Sequence, residues 1–354
     1  MIDEIDFATA SSAVRVAVMG VGSAGITAIE PLTKMGERDG LKFIAVDTDA
    51  LATERSNAQI KLQIGAEIND GLGTGENADL ARKAVVKARR ELKAALGGVD
   101  LAIIVCGMGG GMGLGAVAEI AELLSGVQIQ KLVVASLPNA IEGELRMQRA
   151  EAALKELREN GCPTLVLPCE GASGQGAENF EMLSGFSAIN EHMRQLISSL
   201  LRLVILELQA SVISVDFADF CSILSSGGTL HFGEGRGNGE TKCLDAVLQA
   251  VESAPLGTSL RGAMSVFINM VASPNVGLGD AEIALECVRG LAHDDAEIIL
   301  GFDCDADLTD EVRVTVLASM RERPLLSSVL PPSKSTEEDE LDALASLFRG
   351  DTPR

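Results

Sequence analysis

Short, almost wholly apolar runs alternate along the chain with stretches whose apolar residues recur every three or four positions. Val14-Arg15-Val16-Ala17-Val18-Met19, Leu41-Lys42-Phe43-Ile44-Ala45-Val46 and Leu101-Ala102-Ile103-Ile104-Val105 read as buried strands. Ile26 to Met35, Asn77 to Leu96 and Ala116 to Leu124 read as helices. Further on, Ile189, Met193, Leu196, Ile197, Leu200, Leu203 and Val204 recur at helical spacing, and the far side is also largely apolar after Leu200. A helix that is apolar nearly all round is buried nearly all round.

The joints between these elements are rich in glycine. Residues 107–115 hold six glycines in nine positions, between an apolar strand and a helix. Such a junction is a phosphate cradle: bare backbone N–H groups face the ligand, and the positive end of the helix dipole favours an anion. The plain alternative is a flexible turn. Gly20-Val21-Gly22-Ser23-Ala24-Gly25 matches G-x-G-x-x-G between a strand and a helix, and Asp47 ends the next strand. An acid about 20 residues beyond the glycines completes a dinucleotide fingerprint. By itself this pair points to an NAD(P)-dependent oxidoreductase with Asp47 on a ribose. A third loop, Asn69-Asp70-Gly71-Leu72-Gly73-Thr74-Gly75, precedes the helical stretch from Asn77. A Rossmann enzyme needs one phosphate loop, and this chain offers three. It lacks G-x-x-x-x-G-K-[ST], which disfavours an ordinary P-loop NTPase.

At 354 residues the chain is long enough for two domains with real cores. Its net charge of −22 argues against nucleic acid as a partner, because phosphates would be repelled. Self-association would have to overcome the same repulsion, so cations should matter. The seven cysteines, at 106, 162, 169, 221, 243, 287 and 304, make no C-x-x-C pair and read as reduced cytosolic thiols. His192, His231 and His293 have no ligand spacing, so no side-chain metal site is expected. Met1–Ala13 is acidic at its start and does not read as a signal peptide. No apolar run reaches membrane-spanning length without charge.

The ordered set of pieces resembles the tubulin/FtsZ family. They are Gly20–Gly25, Ala45-Val46-Asp47-Thr48-Asp49-Ala50, Gly71–Gly75, Gly107–Gly115, Glu142-Gly143 with Arg146-Met147, Phe186 with Asn190, Val215–Asp219 and Asp310–Val316. The resemblance implies an α/β fold: a Rossmann-like parallel-sheet GTPase domain, a long central helix, then a smaller α/β domain. The implied boundaries are an arm over 1–13, a nucleotide domain over 14–185, the central helix over 186–213 and the C-terminal domain over 214–321. It also implies GTP or GDP as ligand with Mg²⁺, and a head-to-tail homopolymer whose site is completed by the next subunit. Gly22, Ser23, Ala24, Gly25, Ile26 and Thr27 match the first phosphate loop. Gly71, Gly73, Thr74 and Gly75 match the loop that senses the γ-phosphate. Gly109, Gly110, Gly111, Met112, Gly113 and Leu114 match the signature loop. Glu142 and Arg146 match nucleotide-contacting charges, and Phe186 and Asn190 match groups on the guanine.

Asp216 and Asp219 lie at i and i+3, so they share a face if the segment turns helical. Paired carboxylates can polarise a water and hold a cation near phosphate. They resemble the acids that the family inserts into a neighbour's pocket, which makes hydrolysis depend on assembly. The plain alternative is an acidic turn with Asp216 as helix N-cap. Departures from the family concentrate at the nucleotide. Met112 and Leu114 stand where the family has threonines, Ser214 where it has Asn, and Glu191 where it has Asp. Leu167-Pro168-Cys169-Glu170 and the insert Gly171–Gly176 replace a Pro-Asn-Asp region, and Ser23 and Ala24 replace two glycines. Each phosphate hydrogen bond lost with a threonine hydroxyl would cost roughly 1.5–3 kcal/mol.

Residues 322–338 are Pro- and Ser-rich and read as a linker. In the tail over 339–354, Leu341, Leu344, Leu347 and Phe348 fall on one helical face, a docking pattern. It resembles the family's tail for a membrane adaptor at the division site, though the spacing departs and the usual Pro is missing. Three functions remain: a GTP-hydrolysing division filament in the cytoplasm, a filament scaffold with weak or no hydrolysis, and the oxidoreductase.

Overall fold

The computed structural model describes residues 14–34, 40–168, 182–207, 215–225, 229–253, 260, 262–274, 276–305 and 308–320. By its contacts the chain divides into two compact units, Met1–Leu206 and Glu207–Arg354.

The first unit holds strands β1 (Val16–Val21), β2 (Leu41–Asp47), β3 (Ile60–Gln63), β4 (Leu101–Gly107), β5 (Gln130–Ser136) and β6 (Thr164–Leu167). They pair in parallel in the order β3-β2-β1-β4-β5-β6. The winding reverses between β1 and β4, and the carboxyl ends of those strands flank the crevice where sheets of this topology bind ligands. Both strands are buried on both faces, with Val16 to Met19 and Leu101 to Cys106 all at 0 % exposure. Unbroken apolar runs, rather than alternating ones, are what a parallel strand between helices requires.

Its helices are α1 (Gly22–Thr33), α2 (Ala50–Arg55), α3 (Ala66–Asn69), α4 (Ala78–Lys87), α5 (Arg89–Ala95), α6 (Val117–Ser125), α7 (Glu144–Glu159) and α8 (Met182–Arg202). Two begin earlier than the apolar spacing predicts. The first starts at Gly22 rather than Ile26, so Gly22–Gly25 form its opening turn. A π-helical turn, Met112–Ala116, runs into α6 ahead of the expected start at Ala116. Glycine adds nothing to a hydrophobic period, so periodicity cannot register a helical turn made of glycine. The stretch 77–96 is two helices, broken at Ala88 (φ −88°, ψ 12°). The predicted long helix is α8, which passes into a π-helical turn at Leu203–Glu207. All seven of its apolar marker residues, Ile189 through Val204, are buried.

The second unit comprises α9 (Phe217–Ser225), β7 (Thr229–Asn238), α10 (Lys242–Glu252), β8 (Ala263–Ala272), α11 (Leu278–Leu291), β9 (Glu297–Cys304) and β10 (Glu311–Met320). The tenth strand lies between β7 and β8, antiparallel to both, while β8 and β9 run parallel. Val312, Val314, Val316 and Ala318 alternate along β10 into a core shared with α10 and α11.

That sheet carries a buried titratable group. Burial pushes the His231 imidazole of β7 down to about 4, because the cation loses its hydration. Between pH 4 and the ordinary histidine range, the unfolded chain therefore binds a proton that the folded chain does not. Stability is full above that range and falls as pH drops through it, by up to roughly 3 kcal/mol. Thermal unfolding should show this slope in the wild type, and His231→Gln should flatten it. An unchanged slope in the variant would remove His231 as its source.

Candidate phosphate-binding crevice

The crevice is built from three glycine loops that touch one another. A Cβ on Gly25 would lie 2.1 Å from the Val105 carbonyl oxygen, and one on Gly107 would lie 2.8 Å from the Ala24 Cβ. A Cβ on Gly111 would lie 2.7 Å from the Asn77 carbonyl and 2.9 Å from the Thr74 Oγ1. The Gly111 N–H also donates to the Gly75 carbonyl at 2.7 Å. Gly113 and Gly115 serve packing as well: their Cβ atoms would lie 2.0 Å and 2.1 Å from the carbonyl oxygens of Gly107 and Ala78.

The remaining glycines are of another kind. At Gly109 and Gly110 the nearest neighbours of an added Cβ would be 3.5 Å and 3.6 Å away, and at Gly75 there is none within 4 Å. A methyl would fit at these positions, at ordinary contact distance for Gly109 and Gly110 and in open space at Gly75. The N–H groups of the signature loop are not equivalent either. Gly111 is engaged by Gly75, and Leu114 donates to the Gly110 carbonyl. Gly109 and Gly110 keep backbone N–H groups with no backbone acceptor among the described residues.

Two helix starts flank these donors. The N-caps Val21 of α1 and Gly111 of the π-helical turn have no side-chain cap, so no capping side chain covers either helix start, although the Gly111 and Leu114 N–H groups are taken by backbone carbonyls. Gly22 takes φ 73°, the left-handed turn that lets α1 begin at the end of β1. Open glycine faces, uncapped helix starts and the switch point of the sheet converge on one crevice, and these residues fit an anion such as a polyphosphate.

Side chains complete the rim. Ser23, Ala24 and Thr27 are exposed on the first turns of α1, with Thr27 Oγ1 donating to the Ser23 carbonyl at 2.8 Å, while Gly22, Gly25 and Ile26 are buried. Met112 and Leu114 are buried at 5 % and 7 % exposure, and a Cβ on Gly22 would lie 2.9 Å from the Met112 Cβ. Apolar side chains thus stand where the family's threonine hydroxyls would be. The Asp47 carboxylate accepts the Thr48 and Asp49 N–H groups on Oδ1, at 2.7 Å and 3.2 Å, and Ser23 Oγ on Oδ2 at 3.1 Å. It is only 3 % exposed. Burial pushes its pKa up, and the three donors pull it partly back. Asp47 is a clasp tying β2 to α1.

Glu142 accepts the Asn139 N–H at 2.8 Å and pairs with Arg146 at 2.7 Å, four residues along. Arg146 also pairs with Glu76, on the loop after Gly75, at 2.7 Å, and Arg149 reaches the same carboxylate at 2.6 Å. The Arg146 hydrogen bond, then its charge, holds Glu76 below its usual range. Sequence reading missed Glu76, Arg149 and Asp49, which caps α2 and forms a bridge with Leu72. Only Asp49, as an acid just ahead of a helix, carried a local signal. Around the same rim Leu72, Ile141, Leu145 and Leu51 are 85 %, 65 %, 60 % and 58 % exposed. Exposed large apolar groups on segments next to Gly71–Gly75 and Glu142 are candidates for a binding surface.

Residues 15–170 match the GTPase domain model of the Tubulin/FtsZ family, and residues 228–320 match the C-terminal domain model of the FtsZ family. The chain belongs to the tubulin/FtsZ family. Its sequence makes it a divergent member. Among solved structures it is similar to FtsZ of M. jannaschii, solved as an empty dimer. The two are 29 % identical over 86 % of this chain and 88 % of that one, with a TM-score of 0.74. CetZ2 of Haloferax volcanii, solved as a GTPγS-bound protofilament, shares the fold at 20 % identity. There the TM-score is 0.74, over 96 % of this chain and all 100 % of CetZ2.

In this tubulin/FtsZ chain Asn190 is half-buried on α8, the helix that packs against α1. Asp216 and Asp219 belong to the second unit and cap α9 reciprocally. Asp216 Oδ1 accepts the Asp219 N–H at 2.9 Å, and Asp219 Oδ2 accepts the Asp216 N–H at 3.0 Å. One oxygen of each remains outside this capping box, with Asp216 exposed and Asp219 half-buried. The side chain of Phe186, the arm over 1–13, Glu170 through Gly176, Ser214, the linker and Leu341, Leu344, Leu347 and Phe348 lie outside the described residues.

The two kinds of glycine are separable by experiment. Gly113→Ala, which drives a methyl into the Gly107 carbonyl, should destabilise the fold by about 1–3 kcal/mol or more. Gly110→Ala should unfold within about 0.5 kcal/mol of the wild type, yet bind GTP at least ten-fold more weakly. Thermal unfolding and calorimetric titration check both, and equal stability of the two variants would contradict the division.

Proposed function

We propose that the protein is a GTP-binding, self-assembling filament subunit of a bacterial division machinery, acting in the cytoplasm, and that GTP is hydrolysed where two subunits meet. The observation that carries this reading is the β1/β4 crevice, with free Gly109 and Gly110 N–H groups between two uncapped helix starts. Its apolar rim supports assembly over the mouth of the site. Against the oxidoreductase reading, the acid it assigns to a ribose is 3 % exposed and already accepts from Ser23, Thr48 and Asp49.

Phosphoryl transfer asks for positioning and charge neutralisation. The crevice amides and Arg146 would hold the phosphates. Asp216 and Asp219 of a neighbouring subunit would orient a water with the oxygens left free by their capping box. The water attacks the γ-phosphorus, the bond to the bridging oxygen breaks, and phosphate and GDP leave. Among the described residues no three acidic, His or Cys side chains cluster as metal ligands. Phosphate oxygens and water would therefore supply most of the shell of Mg²⁺, which would neutralise the phosphate charge. The tail residues Leu341, Leu344, Leu347 and Phe348 would dock a membrane adaptor.

Met112 and Leu114 favour a second reading, a scaffold that binds GTP and assembles without turnover. One experiment separates the two. Phosphate release from GTP with Mg²⁺ should show near-zero specific activity at low protein concentration and a rise above a threshold. Asp216→Asn and Asp219→Asn keep an oxygen for the capping box, so they should fold normally and bind GTP. Each should lose turnover by about 100-fold or more. Assembly with no phosphate release at any concentration establishes the scaffold. A flat specific activity contradicts the shared site.

A further inference from the structure

Glu76, directly after the Gly71–Gly75 loop, links it to α7. Gly71, Gly73 and Gly75 take φ 76°, 80° and 54°. The backbone anchors the first half of the loop through Ala50 N–H to Gly71 and the Asp49–Leu72 bridge, and its end through Gly111 N–H to Gly75. Leu72, Gly75 and Glu76 are exposed. Glu76 takes two arginines at once. Arg146 brings Nε and Nη2 to Glu76 Oε1, each at 2.7 Å, and Arg149 brings Nη1 to Oε2 at 2.6 Å. Arg146 is held on its other side by Glu142 at 2.7 Å. Four charges from three segments thus form one network around the mouth of the crevice.

We infer that Glu76 is a positioning residue: it fastens the Gly71–Gly75 loop to α7 through Arg149 and Arg146, and so fixes the loop for the terminal phosphate of a nucleoside triphosphate. The second half rests on the function proposed above; the first half does not. An isolated exposed ion pair contributes little. Here one carboxylate collects two guanidiniums, and it does so beside Gly75, where the backbone gives the loop a single outward bond, from the Gly111 N–H. The Gly75 carbonyl adjoining Glu76 also receives the Gly111 N–H, so an unfastened loop would loosen the Gly109–Gly111 cradle with it. Because the network faces solvent, salt weakens the fastening.

The test compares wild type with Glu76→Gln, Arg149→Gln and the double variant. Hydrogen exchange over residues 70–78 is followed without added nucleotide, at about 50 and about 500 mM salt. Affinities for GTP and GDP are then titrated. Each single variant should speed exchange of this segment at least ten-fold at low salt, with the double variant no faster than either. High salt should bring the wild type toward the variants. The preference for GTP over GDP should fall about ten-fold in each. Exchange unchanged in both single variants overturns the inference, whatever the protein binds. Faster exchange with an unaltered GTP-to-GDP ratio overturns the role toward the terminal phosphate. Faster exchange in a protein whose wild type binds neither nucleotide supports the fastening and overturns the guanine-nucleotide reading instead.

Discussion

Backbone has to touch backbone at the carboxyl ends of β1 and β4. Gly25 lies against the Val105 carbonyl, Gly113 against Gly107 and Gly111 against Asn77, and no side chain larger than hydrogen fits at any of the three. This close approach brings α1 and the Met112 turn to the sheet at the topological switch point, with no side chain capping either helix start. Other features of the crevice follow. Asp47 and Ser23 clasp β2 to α1, Gly75 takes the Gly111 N–H, and Glu142 and Arg146 close the rim. The anion site is a consequence of how these loops pack.

Electrostatics then sets what the site can hold and when it can act. Unpaired amides favour an anion within a chain whose net charge is −22. Two subunits meeting over that crevice must overcome mutual repulsion, which the exposed Leu51, Leu72, Ile141 and Leu145 help to offset. Asp216 and Asp219 would add two more negative charges beside phosphate, so a cation in the joint site follows from charge balance. Hydrolysis would then be tied to assembly, because the acids would come from a neighbouring subunit.

Much of this was legible in the sequence, and unevenly so. The buried strands showed as unbroken apolar runs, and α8 as an apolar helix on both sides. The glycine loops showed as composition. The division of labour among their glycines did not, since Gly110 and Gly113 look alike in sequence. A methyl fits at the first at ordinary contact distance, and at the second it would run into a carbonyl from six residues earlier. The starts of α1 and of the Met112 turn were hidden for the same reason. Asp47 looked like a ribose ligand because its spacing was right; its partners Ser23 and Thr48 reveal the clasp only in three dimensions. Glu76 was invisible because Arg146 and Arg149 lie 70 and 73 residues away. The Asp216–Asp219 pair carried both of its readings from the outset, and the capping geometry accommodates both, since each acid keeps one oxygen outside the box.

The most direct measurement is amide-resolved NMR of the protein titrated with GTP, with NAD⁺ as the comparison. If the crevice holds phosphates through backbone N–H groups, GTP shifts the amides of Gly22 to Gly25, Gly109 and Gly110 most strongly, and NAD⁺ leaves them in place. GTP-induced shifts that spare Gly109 and Gly110, or the same shifts with NAD⁺ and none with GTP, would contradict it.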